Sequence, residues 1–123
     1  MKILETKEWQ DEERYEKTYK LDNNVTTDSL PEIIKAFEGE EYVMSSCCCE
    51  TFDENDSPKH CEFLELEDVM KFLDYASNPS VQFMIDFNNK QTNEYAFCVH
   101  ASTNYNYISY FASKKRRYAQ GDR

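Results

Sequence analysis

Glycine is almost missing from this 123-residue chain, which has only Gly39 and Gly121. Phosphate-cradling loops and dinucleotide fingerprints need several glycines so that the backbone can approach the ligand closely, and the sequence has no such cluster. Gly-x-Ser-x-Gly and His-Glu-x-x-His are also missing, and His60 and His100 are the two histidines, so the common hydrolase and metalloprotease templates do not apply. No run approaches the roughly twenty apolar residues of a membrane span, and the opening Met1–Gln10 has no apolar stretch of signal length. The expectation is a chain that stays in the cytoplasm. Leu, Ile, Val and Phe are scarce too, together making 24 residues. With a net charge of -10 that shortage touches the composition of disordered chains. Nine Tyr, eight Phe and one Trp argue for a folded domain, because large rings supply the burial that disordered sequences lack.

Positive charge is the last scarcity. Five of the fourteen basic residues, Lys114, Lys115, Arg116, Arg117 and Arg123, fall in the final ten positions. Residues 1–113 hold 23 acidic and nine basic residues, and Glu38–Asp68 holds eleven acids against Lys59 alone. The reading is one acidic domain over 1–113 and a basic tail over 114–123. An acidic body repels nucleic acid and attracts basic proteins; its ordinary role is to keep a small domain dispersed. The tail block Lys114–Arg117 has the composition of an import signal or nucleic-acid contact, with a solvated tail as the ordinary alternative.

Five cysteines, three of them consecutive at Cys47, Cys48 and Cys49, with no sign of secretion, predict reduced thiols rather than a disulfide framework. Cys47, Cys48, Cys49, His60, Cys61, Cys98 and His100 are enough soft ligands for one zinc, but adjacent cysteines in a strand point to opposite faces, so no metal and no cofactor are expected. A thiol activated by His60 or His100 is the corresponding enzymatic alternative. Asp53-Glu54-Asn55-Asp56 resembles half of a calcium loop, yet Pro58 stands where an EF-hand needs glycine and Leu64 where it needs its bidentate glutamate.

Periodicity predicts the elements. Leu30, Ile33, Ile34 and Phe37 form a helical stripe beginning near Ser29, with Ser29 and Glu32 at capping-box spacing and Gly39 after the last turn. Leu66, Val69, Met70, Leu73 and Ala76 make the buried face of a second helix over 67–76, stopped by Asn78-Pro79. The period then falls to two: Val81, Phe83, Ile85 and Phe87, then Tyr95, Phe97, Val99 and Ala101, then 105–111, a three-stranded antiparallel meander. Tyr42–Cys49 and 61–66 predict two strands around a polar loop. Tyr15, Lys17, Tyr19 and Leu21 predict an N-terminal strand. Within 105–111, either Tyr105, Tyr107 and Phe111 or Ile108 and Tyr110 face the core. The implied fold is α+β, a mostly antiparallel sheet with two helices on one face.

These features favour a binding protein over an enzyme. The leading expectation is a small acidic inhibitor or immunity-type protein that blocks a basic partner, such as a nuclease, a toxin or another nucleic-acid-handling enzyme. Glu50, Asp53, Glu54 and Asp56 would supply charge, and Tyr105 and Tyr107 apolar contact. No direct contact of the acidic body with nucleic acid or membrane is expected, and the chain would be a monomer or homodimer. A structural adaptor that pairs through a sheet edge or an aromatic face, and a small thiol- or zinc-dependent enzyme, are the other two readings.

Overall fold

The computed structural model describes residues 1–52, 58–75 and 80–113. Seven strands form one antiparallel sheet: β1 (Ile3–Gln10), β2 (Arg14–Leu21), β3 (Tyr42–Phe52), β4 (Pro58–Phe63), β5 (Ser80–Asn89), β6 (Tyr95–Ser102) and β7 (Tyr107–Ser113). Their order across the sheet is β1-β2-β7-β6-β5-β3-β4. Helix α1 (Leu30–Phe37) carries the chain from β2 to β3, and α2 (Leu66–Tyr75) links the edge strand β4 to β5. The α+β class and the C-terminal meander β5-β6-β7 match the sequence expectation.

The alternation of β5 decides which face is which. Val81, Phe83, Ile85 and Phe87 are buried, while Gln82, Met84 and Asp86 between them are half-buried. Register carries the same parity across the sheet: Cys49 lies opposite Phe83, Ile85 opposite Val99, and Ala101 opposite Ile108. Leu30, Ile33 and Ile34 of α1 and Val69 and Leu73 of α2 complete this core. Aromatic rings fill its centre. Phe97 lies 4.8 Å from Phe87, 4.7 Å from Tyr110, 5.0 Å from Tyr42 and 6.0 Å from Phe37, centroid to centroid. Large rings replace the missing aliphatics, as the composition requires.

Parity also separates the two tyrosine sets. Ile108 is buried and Tyr110 packs against the core, whereas Tyr107 is exposed and Phe111 lies on the opposite face. Cys47 and Cys49 are fully buried and Cys48 is half-buried between them, as alternation demands.

Local details depart from expectation at the start of α1. Ser29 is already helical, closing a short 3-10 turn over Thr27–Ser29, so it is not an extended N-cap. Its hydroxyl instead accepts a hydrogen bond from the Thr26 N–H at 3.0 Å. Glu32 accepts from the Met1 amino group at 2.9 Å. Gly39 adopts no positive φ, and extended Glu38 ends the helix. At the N-terminus two strands stand where the sequence predicts one, because β1 is exposed along its whole length and shows no apolar alternation.

The β6–β7 turn uses Asn104 at φ 73, a conformation that asparagine tolerates. Thr103 beside it ties the start of β5: its Oγ1 accepts the Val81 N–H at 3.0 Å, and its own N–H donates to the Val81 carbonyl at 2.9 Å. The first of these bonds is buried. Thr103→Val keeps the shape and strands a buried N–H, so it should lower unfolding free energy by about 1–3 kcal/mol. Urea denaturation checks this, and an unchanged midpoint would show that the Val81 N–H finds another partner.

Candidate interaction surface

Both helices pack on the face bearing Phe83 and Ile85, and among the described residues no element covers the other. That open face reads in rows across the strands. One row runs Glu62, Cys48, Met84, His100, Ser109 and Thr18; the next runs Ser46, Asp86, Cys98, Phe111, Glu16 and Trp9. Most of these side chains are half-buried by one another rather than by a covering layer. His100 meets Phe111 edge to face at 5.0 Å, and Ser46 Oγ donates to Asp86 Oδ2 at 3.4 Å. Burial lowers the His100 pKa, with Asp86 opposing it only in part.

Glu50 sits on β3 on this face, half-buried, opposite His60 on one side and Gln82 on the other. Tyr107, opposite Lys20 on β2, shares the face and lies three strands from Glu50, or roughly 14 Å across the sheet at the usual strand spacing. Tyr105 follows the β6–β7 turn at 55 % exposure, its ring 5.8 Å from that of Tyr107. Asp53, Glu54 and Asp56, like the basic block Lys114–Arg117, lie outside the described residues. Of the six side chains singled out in the sequence, Glu50, Tyr105 and Tyr107 are therefore placed, with Glu50 and Tyr107 on one surface.

Charge is polarised along the sheet. Glu38–Asp74, the segment of β3, β4 and α2, carries twelve acidic residues in sequence, nine of them among the described residues, against Lys59 and Lys71, and Lys71 pairs with Glu67 at 3.2 Å. Residues 1–22, at the other end, carry seven acids against five bases. There Lys17 lies 3.7 Å from Glu8 and over the rings of Tyr15 and Tyr110, and Arg14 lies over Trp9. Exposed Trp9 entered no candidate surface in the sequence, and Phe111 belonged to the alternative core set with Tyr105 and Tyr107; both emerge on the open face, with Phe111 half-buried. The usable signal was parity, since a ring one residue off the buried set must emerge on the open side.

Among the described side chains, the thiols and His100 do not converge. Cys47 and Cys49 turn to the core with Cys61 opposite Cys49, while Cys48, Cys98 and His100 lie on the open face. Among the described residues no group of three or more His, Cys, Asp or Glu side chains is placed to hold a metal ion. The neighbouring Cys49 thiol, together with burial, pushes the Cys47 pKa far above the ordinary range. Interaction with Cys47 draws the Cys49 pKa down against desolvation. Cys48 Sγ donates to Glu62 Oε2 at 3.5 Å, and burial together with that carboxylate pushes its pKa up to about 11. Cys48 should therefore react with a thiol-specific disulfide reagent at pH 8 about a hundredfold more slowly than free cysteine, and Cys47 and Cys49 only after unfolding. Peptide mapping of the native protein tests this, and rapid labelling at any of the three would revive a nucleophilic role.

Among the described residues no helix is long and apolar enough to cross a membrane. No family model, curated protein or solved structure matched the chain.

Proposed function

We propose that this chain binds and blocks a basic protein partner, in the manner of an inhibitor or immunity protein, with the β3–β4–α2 end of the sheet as its contact region. The observation that carries the reading is the uneven charge, twelve acids against two bases over Glu38–Asp74. Carboxylates concentrated at one end of a rigid sheet steer a cationic partner and discriminate against anionic ones. Glu50 presents its carboxylate there, and the connection from β3 to β4 carries Asp53, Glu54 and Asp56. Tyr107 and Tyr105 lie further along and suit the apolar part of such a contact. A binding role is further supported by thiols that are buried or held protonated, which suits packing better than catalysis.

Affinity capture from lysate at low and high salt, with the captured proteins identified, tests the proposal. A basic protein retained at low salt and released at high salt is the expected result. Capture of no partner, or of one whose retention ignores salt, would defeat it.

A further inference from the structure

The two sheet edges are unlike. Edge strand β4 is six residues long and starts at Pro58, a residue that cannot donate to a further strand. Edge strand β1 is eight residues long, contains no proline, and is exposed at every position. Its guards are the charged Glu5, Lys7 and Glu8 and an irregularity between Ile3 and Glu5; from Glu5 to Gln10 its register with β2 is regular. Ile3, Leu4 and Trp9 are 49 %, 55 % and 50 % exposed, so one edge strand carries three of the exposed large apolar side chains among the described residues.

The β1 sequence is also complementary to itself. In a two-fold antiparallel pair, residue i of one copy faces residue j of the other with a constant sum, and every contact occurs twice. Centring the axis on Thr6 places Glu5 opposite Lys7, Lys7 opposite Glu5, Thr6 opposite Thr6 and Trp9 opposite Ile3. Both charge pairs are then attractive and the Thr pair is favourable. The charge polarity acts in the same direction. A β1-to-β1 contact joins the ends where charge is nearly balanced and keeps the two Glu38–Asp74 regions far apart, whereas a β4-to-β4 contact would press them together.

We infer that β1 is a homodimerisation edge, pairing antiparallel with β1 of a second copy about an axis at Thr6 to form one continuous sheet. The contact is a single strand pair and buries little area, so the dimer is weak and concentration-dependent. It stands independently of the acidic contact region, which the dimer leaves uncovered.

Sedimentation velocity of the full chain under reducing conditions, from about 1 to 300 µM to span a weak interface, tests this. The native chain should shift from monomer to dimer across the range. Glu5→Lys and Lys7→Glu each set like charges opposite twice, and each should weaken dimerisation about tenfold. Mixing these two variants makes both pairs attractive again and should restore a mixed dimer. Thr6→Lys, which touches neither charge pair, places two lysines at the axis and should also dissociate it. A native chain that stays monomeric throughout, a dimer indifferent to all three substitutions, or a mixture that fails to associate would overturn the inference.

Discussion

Phe97→Ala should cost about 3–5 kcal/mol of folding stability, the cost of removing a buried aromatic side chain. Phe97 is 3 % exposed and its ring contacts four others, from β5, β7, α1 and the start of β3. The surrounding rings are themselves held by a rigid sheet and cannot collapse into the vacated space, which places the cost toward the upper end of that range. A matched comparison is Phe111→Ala, one residue beyond Tyr110 on the open face, where the ring is only half-buried. That change should cost about 1 kcal/mol. Denaturant unfolding of both variants checks the pair. Equal costs would mean that the open face is as tightly packed as the helical one, and the division of the sheet into covered and bare sides would fall with them.

Replacing Glu50, Asp53, Glu54 and Asp56 together with lysine should weaken binding of a captured basic partner by about a hundredfold or more at low salt, since like charges at a contact are strongly unfavourable. The same substitutions should flatten the dependence of affinity on salt, because screening weakens attraction and repulsion alike. Charge reversal at Glu12 and Glu13, exposed in the β1–β2 turn at the opposite end of the sheet, is the control and should leave affinity within about twofold, as expected where charges sit beyond a screening length. Titration calorimetry at two salt concentrations reads both. Equal losses from the two sets would mean that total charge, not its location, governs the interaction.

The legible part of the fold was the part with one buried face. Alternating Val81, Phe83, Ile85 and Phe87, and the helical stripe of Leu30, Ile33, Ile34 and Phe37, exist because water lies on one side and core on the other, so period and burial coincide. Strand β1 has no buried side, and its residues therefore carry no period. The Cys47–Cys49 run gave its parity directly, whereas the choice between Tyr107 and Ile108 depended on register with β6, which is a tertiary property. For the same reason the pairing of β2 with β7 could not be read locally. Of the proposed acidic contact region, the sequence supplied the concentration of charge over Glu38–Asp68. What it could not supply was the arrangement of β3 and β4 together at one end of the sheet, which turns a run along the chain into a region in space.

That long-range pairing has a consequence for how the chain comes to be built. Arg14 lies beside Ser113 and Lys20 beside Tyr107, so the β1–β2 hairpin leaves a ribosome well before β7, the strand on which it docks. Until β7 emerges, the edge of β2 that it covers stays bare. During that interval a newborn copy is most apt to pair with a neighbour on the same message.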